Sequence, residues 1–599
     1  MAPTKRFFAV LVSAALSFTS APLATASVAD SRPAAETPSA YNAHPKLVVL
    51  VVLDQFRADY LERYRDDFKG RGFKLFLDHG ANFLDCYYGY ANTETAPGHS
   101  TIGTGAYTDG HGIGGNEWWD LARSKDHPVT SVEDERYALV GVPSGEKTTP
   151  GSSPRNLRAS TFGDELRLDT LGSSSVYGVS LKDRAAILPA GAAANGAFWI
   201  DQASGRFITS TYYMAQLPEW AQTFDDSGRI DQARQEANAP QGGNFYNTVG
   251  ATPAAVSYEL DFAKALITGA DLGKHDTTDV LTLSISSTDI LGHRVGPDSP
   301  DQRAMVDAVD TDLDSFFSWL DKNVDGGLGN VWIALTADHG IAPVPAVAAN
   351  FGLDAATINV QKLVADLNDA LNLKFSPGEK IQYLLDHQSL PYLVLNPAAF
   401  DRAGINEQEA EDAVQKALPQ AFADLTKPQE LKAPATSKLP PTPALFRSFT
   451  RLQMAGGQLP PTPFGELIAH SYTPNGGWYV MVVADAFQMA QMAPGGTNHF
   501  TPYSYDRHVP LDFYGAPFAP GMYHGRVEPV DLAATLASLL GVNQPSASVG
   551  HILTQALKPV SAVTYPKPVP VRTRAVHRIH AAADKSSAEA KPAAAAQNQ

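Results

Sequence analysis

The chain has 599 residues, a single cysteine and a formal net charge of −17 at pH 7. One cysteine excludes an intramolecular disulfide framework and any cysteine-rich metal cluster. The acidic balance argues against broad binding to a nucleic-acid backbone, so we expect no nucleic-acid polymer as a partner.

The N-terminus has the layout of a secretory signal peptide. Two cations, Lys5 and Arg6, precede the apolar run Phe7–Phe18, and a segment of small residues ends at Ala26. A membrane anchor needs about 18 or more apolar residues, and this run is shorter. We therefore predict a signal peptide over residues 1–26, export to the periplasm, and no membrane span in the remainder.

Five short apolar runs predict buried strands. They are rich in β-branched residues and continuous rather than alternating, which is typical of strands covered on both faces in a mostly parallel sheet. The runs are Leu47–Leu53, Val280–Ile285, Val331–Leu335, Tyr392–Leu395 and Trp478–Val483. Helical patterns alternate with them, so we predict a doubly wound α/β fold whose sheet is sandwiched by helices.

Two of the helical patterns have clear ends. In the first, Ser299 as N-cap, Pro300 at N1 and Gln302 at N3 form the pattern of a capping box. Apolar residues then recur on one face at Val306, Val309, Leu313, Phe316 and Leu320. The second helix is predicted over Glu528–Leu540 and ends at Gly541.

Two stretches interrupt the alternation. Residues about 190–250 lack a long buried strand, and residues about 343–475 contain two proline-rich LPPTP segments. We predict that both are insertions forming a cap at the carboxyl ends of the strands, where open α/β sheets bind ligands. One domain with these insertions then spans residues 45–558. Residues 559–599 form a basic Pro/Ala-rich tail without apolar periodicity, which predicts disorder.

Carboxylates and imidazoles occur just beyond the predicted strands, and one imidazole lies in a Gly-rich loop after the last strand. They are Asp54, Asp289, His293, Asp338, His339 and His499. Such a set without thiolates suits Zn²⁺ or another borderline divalent ion.

Each of these residues also has an ordinary structural interpretation. An Asp after a strand is commonly a helix N-cap, and a His is commonly a hydrogen-bonded structural residue. Six such residues together fit one mononuclear site poorly and two adjacent sites well, each with about three or four protein ligands. Two-metal sites with ions about 4 Å apart recur in phosphoryl-transfer enzymes.

The segment NTETAPGHS, from Asn92, adds a candidate nucleophile. Pro97 and Gly98 suit a tight turn into a helix, so we expect Thr95 at or near the helix N-terminus. One interpretation is that Thr95 is simply an N-cap. The other is that the helix N-terminus attracts a phosphate and that the Thr95 hydroxyl is activated by a metal. The sequence pattern leaves both open.

These motifs resemble the alkaline phosphatase superfamily, in its type I phosphodiesterase/nucleotide pyrophosphatase branch. The resemblance rests on Asp54 after a strand, on TETAPGH from Thr93, on DILGHRVGP from Asp289 and on ADHG from Ala337. It implies that residues 45–558 form a catalytic domain with two Zn²⁺ ions. The ligands implied for one zinc are Asp54, Thr95, Asp338 and His339, and those implied for the other are Asp289, His293 and His499.

Two further motifs resemble the phosphate-irrepressible alkaline phosphatases of bacteria, namely GIGGNEWWD from Gly112 and SLKDRAAI from Ser180. This resemblance implies that Asn116, Lys182 and Arg184 bind the transferred phosphoryl group. If the preceding strand geometry persists, Lys182 and Arg184 point to the same face. Two cations and an amide suit a phosphomonoester, which has three non-bridging oxygens. The alternative is a solvated strand end with an incidental salt bridge.

The implied activity is that of a metal-dependent alkaline phosphatase acting on small-molecule phosphate esters. We expect Thr95 to attack phosphorus and form a phosphothreonine intermediate. Lys182, Arg184, Asn116 and a backbone N–H near Thr95 would stabilise the equatorial oxygens.

Two other functions stay open. One is a phosphodiesterase or nucleotide pyrophosphatase of the same superfamily, and the other is a non-catalytic zinc- or phosphate-binding protein. A sulfatase is disfavoured because those enzymes carry a C/S-x-P-x-R segment, which is absent at Thr95. We expect Cys86 to be a small buried residue and assign structural roles to His99 and His111.

Overall fold

The computed structural model describes residues 44–143, 150–240, 242–388, 390–425, 443–490 and 495–559. The predicted signal peptide and, apart from its first residue, the predicted C-terminal tail lie outside these ranges. Within them, no helix combines the length and apolar character that crossing a bilayer requires.

The described strands are short, and most have buried side chains. They are β1 (Leu47–Leu53), β2 (Ala81–Phe83), β3 (Glu117–Trp118), β4 (Val129–Thr130), β5 (Glu133–Asp134), β6 (Leu139–Val140), β7 (Gly151–Ser152), β8 (Val176–Ser180), β9 (Gly196–Ile200), β10 (Phe207–Ser210), β11 (Asp279–Ile285), β12 (Val331–Thr336), β13 (Ala356–Ile358), β14 (Tyr392–Val394), β15 (Leu445–Thr450), β16 (Tyr479–Ala484), β17 (Gln488–Ala490), β18 (Leu511–Tyr514) and β19 (Gly521–Tyr523).

Helices fill most of the connections between the strands. They are α1 (Asp59–Arg63), α2 (Lys74–His79), α3 (Thr95–Thr104), α4 (Thr108–His111), α5 (Phe162–Asp169), α6 (Asp183–Ile187), α7 (Glu219–Asp225), α8 (Arg229–Glu236), α9 (Phe245–Thr248), α10 (Pro253–Gly269), α11 (Ser287–Val295), α12 (Pro300–Asn323), α13 (Pro345–Asn350), α14 (Val360–Phe375), α15 (Pro397–Arg402), α16 (Glu407–Asp424), α17 (Arg451–Ala455), α18 (Pro463–His470), α19 (Ser504–Arg507) and α20 (Val530–Leu540). Short 3₁₀ turns occur at Arg65–Asp67, Gly327–Asn330 and Thr554–Ala556.

A central sheet organises the chain, with the spatial order β19-β2-β18-β12-β1-β11-β8-β9-β10-β6. Its middle pairs, from β12 through β1, β11 and β8 to β9, are all parallel. Antiparallel pairing occurs toward the two ends, where β18 and β10 join. All seven residues of β1 are fully buried, so both faces of the sheet are covered. The predicted α/β fold with a mostly parallel sheet is confirmed.

The parallel pairing predicted for the last two apolar runs is wrong. Strands β14 and β16 pair antiparallel with each other, and β15 adds to β16, in a separate three-stranded sheet. Val480 and Val482 pack with helices α14 and α16, whereas Met481 and Val483 pack into a second apolar cluster. Because both faces of this sheet are covered, its strands are continuously apolar although they are antiparallel.

Residues about 190–250, which were predicted to lack a long buried strand, contain two short ones. Strands β9 and β10 lie in this stretch, and all of their residues are buried. Both extend the central sheet, with β9 parallel to β8 and β10 antiparallel to β9. Aromatic residues rather than β-branched ones fill this part of the core, with the rings of Phe207 and Phe262 stacked 3.6 Å apart.

The predicted helix after Ser299 is confirmed, but its capping box is not. The Ser299 hydroxyl accepts the N–H of Asp301, and no reciprocal bond from Gln302 is made. Gln302 is buried, and its amide donates to the carbonyl oxygen of Thr288 instead. This bond fixes the turn that precedes Asp289. The second predicted helix is α20, which ends at Gly541 in the left-handed conformation.

Gly178 in β8 allows helix α6 to lie against the sheet. A Cβ atom added to Gly178 would be 1.9 Å from the carbonyl oxygen of Ala186 in that helix. Only glycine permits such a close approach. The turn between β8 and α6, which carries Lys182, is thereby held against the strand end.

We expect Gly178→Ala to lower the free energy of unfolding by about 1–3 kcal/mol, because α6 must move outward to admit the methyl group. Gly329→Ala is the matched control, since nothing lies within 4 Å of its added Cβ atom. Urea unfolding of both variants measures the difference. Equal effects would show that this contact does not hold α6 in place.

Candidate active site

The polar residues that follow the central strands meet at one edge of the sheet. Leu53 and Ile285 are opposite each other in register, and the N–H of Asp54 donates to the carbonyl oxygen of Ile285. Asp289 lies in the first turn of α11, and Asp338 follows β12. Because β1, β11 and β12 are parallel neighbours, their carboxyl ends bring these side chains together.

Two groups of potential metal ligands form at this edge. Asp54, Asp338 and His339 offer ligand atoms within 4.8 Å of one another, and so do Asp289, His339 and His499. The Nε2 atom of His293 is 3.1 Å from the Asp289 carboxylate. All six predicted Asp and His side chains are therefore close together, and His339 belongs to both groups.

The three imidazoles are oriented by backbone carbonyl groups. The Nδ1 atoms of His339, His499 and His293 lie 2.9, 2.7 and 3.0 Å from the carbonyl oxygens of Gly340, Thr93 and Thr497, respectively. A carbonyl oxygen only accepts, so each Nδ1 carries a proton, and the neutral rings of His339 and His499 keep their lone pairs on Nε2. Burial lowers the pKa of His339 and of His499, which favours the neutral ligand form.

The residues fit a divalent metal by an independent criterion. Among the described residues, Oδ1 of Asp54, Oδ2 of Asp338 and Nε2 of His339 are buried and have no hydrogen-bond partner. Burial, together with repulsion from Asp289 and Asp338, raises the pKa of Asp54. Buried carboxylates of this kind require a cation, and an oxygen and nitrogen donor set suits Zn²⁺ or a similar ion.

Lys182 connects the two ligand groups. Its Nζ atom is 2.6 Å from Oδ2 of Asp54 and 2.6 Å from Oδ2 of Asp289. Burial by itself lowers the pKa of Lys182, but attraction to the two carboxylates outweighs it and the net shift is upward. The side chain is therefore a buried ammonium ion at the centre of the site.

Thr95 is the first residue of helix α3, as predicted, and is almost fully buried. The preceding residue, Glu94, is the N-cap, so Thr95 itself is not. Gly98 lets α3 approach the site, because its added Cβ atom would be 2.3 Å from the carbonyl oxygen of Asp338. These contacts place the start of the helix beside the metal-ligand groups.

His99, to which the sequence analysis assigned a structural role, connects helix α3 to the site. Its Nδ1 atom is 2.8 Å from the carbonyl oxygen of Thr95 and 3.3 Å from Oδ2 of Asp338, and its Nε2 atom is 2.7 Å from the Ser284 hydroxyl. It therefore ties α3 to a predicted ligand. His99 follows Thr95 by four residues, and this spacing places both side chains on one face of helix α3.

Asn116 is held next to Thr95 by three contacts. Its Oδ1 atom accepts the N–H of Ala96 at 2.9 Å, and its carbonyl oxygen accepts the N–H of Ser131 at 2.8 Å. Its own N–H donates to the Glu94 carboxylate, whose pKa is raised by burial to about 7. The amide orientation is thus fixed, which leaves the side-chain NH₂ group as the donor.

The backbone N–H groups that follow Thr95 in the first turn of α3 are engaged within the chain. The N–H of Ala96 bonds to Asn116, Pro97 has no N–H, and the N–H of Gly98 bonds to the carbonyl oxygen of Glu94. Residues 96–98 therefore offer no free backbone N–H to a phosphoryl oxygen.

The geometry predicted for Arg184 is wrong. Strand β8 ends at Ser180, and Arg184 lies in the first turn of α6 rather than on an extended strand. Its nearest carboxylate, Asp183, is 3.9 Å away, so the two do not form a tight salt bridge. The Nε atom is buried without a partner among the described residues. Burial by itself lowers the pKa of Arg184, but attraction to Asp183 and, less strongly, to Asp54 and Asp289 outweighs it, so the guanidinium stays charged.

A mostly parallel sheet with buried carboxylate and imidazole groups that could hold metal ions at its strand ends is the arrangement of a hydrolase of the α/β fold class. The chain belongs to the type I phosphodiesterase/nucleotide pyrophosphatase family of the alkaline phosphatase superfamily. The model of that family matches residues 48–447. The resemblance found in the motifs is therefore confirmed.

Two similar relatives are named as alkaline phosphatases. PhoV of Synechococcus elongatus is 32% identical over 551 residues, which cover 86% of this chain and 94% of PhoV. PafA of Elizabethkingia meningoseptica is 32% identical over 550 residues, which cover 86% of this chain and 94% of PafA.

Crystal structures of PafA share this fold. Wild-type PafA matches with a TM-score of 0.74 and 29% identity, over 86% of this chain and 99% of that chain. A PafA variant substituted at a threonine, an asparagine, a lysine and an arginine gives the same TM-score at 28% identity and the same coverage.

We expect added Zn²⁺ to stabilise the metal-free protein, by about 4 kcal/mol at a thousandfold excess over Kd, because only the folded chain assembles the ligands. His339→Ala is expected to lose most of this effect, since His339 belongs to both groups. His551→Ala is the control, as His551 has a side chain that is 92% exposed. Thermal unfolding with and without Zn²⁺ measures the effect, and equal stabilisation of both variants would contradict the assignment.

Proposed function

We propose that the chain is an exported, metal-dependent alkaline phosphatase that hydrolyses phosphate monoesters through a phosphothreonine at Thr95. The observation that carries the proposal is the position of Thr95 at a helix start that contacts Asp338 through His99 and Gly98. Lys182 and Asn116 lie at the same site. A hydroxyl, ligands for metals and phosphate-binding donors are thus assembled together.

We assign two Zn²⁺ ions to the ligand groups. One set is Asp54, Thr95, Asp338 and His339, and the other is Asp289, His293 and His499. Bound at these ligands, divalent ions supply Lewis acidity that favours the alkoxide form of a hydroxyl and stabilises charge on a leaving oxygen.

The residues of the chain then have defined roles. The Thr95 hydroxyl loses its proton to water, and its oxygen forms a bond to phosphorus as the bond from phosphorus to the leaving-group oxygen breaks. The expelled alkoxide takes a proton from water and leaves as the alcohol. Lys182, Arg184 and the Asn116 amide donate to the equatorial oxygens, whose charge must be stabilised in the transition state. Attack of water on the phosphothreonine releases inorganic phosphate and restores the hydroxyl.

The same donors favour a monoester over a diester. A monoester presents three non-bridging oxygens to two cations and an amide, whereas a diester replaces one oxygen with a substituent. The names of PhoV and PafA agree with this preference. The PafA variant is substituted at the four residue types that this chain has at Thr95, Asn116, Lys182 and Arg184.

The second candidate is a phosphodiesterase or nucleotide pyrophosphatase. The name of the matching family model favours it, since that family includes enzymes acting on diesters. The two candidates share the nucleophile and the metal ligands, so only the donors to the phosphoryl oxygens distinguish them.

We expect Thr95→Ala to lower kcat for a chromogenic monoester by at least about 1,000-fold, because no other hydroxyl replaces the nucleophile. Bound zinc, measured by mass spectrometry of the purified protein, is expected to stay near the wild-type content. Thr95→Ser keeps a hydroxyl and is expected to retain measurable turnover. Wild-type activity in Thr95→Ala would show that the nucleophile is wrong.

Lys182→Ala and Arg184→Ala are expected to lower kcat/KM for a phosphate monoester by about 100-fold or more and to affect a diester much less. Arg303→Ala, which removes a surface ion pair with Asp67, is the control for loss of positive charge. Steady-state kinetics on both substrate types give the ratio. Equal losses on monoester and diester would favour the phosphodiesterase.

Export rests on the sequence pattern of residues 1–26. The mature periplasmic protein is expected to begin at Ser27, and mass spectrometry of its N-terminal peptide tests this. A protein that retains residues 1–26 and stays in the cytoplasm would contradict the proposal.

A further inference from the structure

A cavity lies where the Asn116 loop meets the three-stranded sheet of β14, β15 and β16. Glu94 and Gly115, which immediately precede Thr95 and Asn116, line its inner side, and Tyr392 and Tyr479 of the separate sheet line another. Its empty space is about 600 Å³, part of it open to solvent.

The cavity wall combines aromatic rings with carboxylates. The residues that give it this character are Trp118, Trp119, Tyr392, Tyr479, Glu94 and Glu117. Among the described residues that line it there is no Lys or Arg. Ring faces and carboxylates both attract cations, whereas an anionic group would be repelled here.

The rings are held in place by hydrogen bonds at their edges. The Tyr392 hydroxyl donates to the carbonyl oxygen of Ser471, and the Tyr479 hydroxyl donates to that of Thr473. The indole N–H of Trp119 donates to the carbonyl oxygen of Asp386. Fixed rings provide contact area without an ordering cost on binding.

Glu94 lies between the cavity and the proposed phosphoryl site, because it lines the cavity and directly precedes Thr95. The Glu94 carboxylate accepts the N–H of Asn116, so the inner wall is built by the residues that position the Asn116 amide. A phosphate held by Thr95 and Asn116 would therefore lie beside residues that line the cavity, and the aromatic wall would be the nearest apolar surface for its organic substituent.

We propose that this cavity binds the organic group of the phosphate ester and selects an aryl group that carries a positive charge over one that carries a negative charge. The proposal rests on the proposed phosphomonoesterase activity. It assigns specificity to Trp118 and Glu117, which take no part in the reaction at phosphorus.

Three monoesters test the selection in the zinc-loaded enzyme at pH 9. They are 4-(trimethylammoniomethyl)phenyl phosphate, 4-(carboxymethyl)phenyl phosphate and methyl phosphate. We expect kcat/KM to favour the cationic aryl ester over the anionic one by about fivefold, the effect of a partly exposed ion pair. Trp118→Ala is expected to lower kcat/KM for both aryl esters relative to methyl phosphate.

The charge of the cavity is tested by Glu117→Lys, which is expected to abolish or invert the preference for the cationic ester. Asp126→Lys makes the same charge change at an exposed residue outside the cavity, and its preference is expected to stay within about twofold of wild type. No preference in the wild type, or an equal change in both variants, would overturn the proposal.

Binding separates this proposal from the proposed function. Tryptophan fluorescence of zinc-loaded Thr95→Ala, titrated with each aryl ester, reports affinity without turnover. If wild-type protein hydrolyses none of the three esters, the proposed function fails. Tighter binding of the cationic ester that Glu117→Lys removes would still support the subsite, and equal binding of both aryl esters would overturn it.

Discussion

Buried carboxylates of like charge at neighbouring strand ends are the constraint on which the site depends. Asp54, Asp289 and Asp338 are nearly or fully inaccessible to water, so they lose hydration and repel one another. Lys182 offsets part of this cost by bonding to two of them. The remaining oxygens and the free imidazole nitrogens are placed where they could hold divalent ions, and binding of such ions would stabilise this region.

The scaffold satisfies this constraint by close and specific packing. Parallel strands in register bring the ligands to one edge, and backbone carbonyls orient the three imidazoles. Glycines at positions 98 and 178 let two short helices approach the strand ends. These helices carry Thr95 and Arg184, so the groups proposed to act on the phosphate depend on the same packing. An acidic chain can then bind an anion, because positive charge is concentrated locally.

At the level of the fold, apolar runs predicted the strands well but not their partners. The run at β1 and the run at β16 have the same continuous character, yet one is parallel in the central sheet and the other antiparallel in a separate sheet. Both strands are covered on two faces. A continuous apolar run indicates this coverage and not the direction in which the strand pairs. Strands β9 and β10 were missed because their burial comes from aromatic residues of α10, such as Phe262, which lie far along the chain.

At the level of the site, the sequence by itself determined the ligand types, the strand ends that carry them and the helix that begins at Thr95. These follow from local hydrophobic patterns and turn-forming residues, which act over a few positions. Only the tertiary structure decided that His339 belongs to both ligand groups, that Glu94 holds Asn116 and that Arg184 lies on a helix. Those relations depend on distances between segments tens to hundreds of residues apart, and short-range patterns carry no information about such distances.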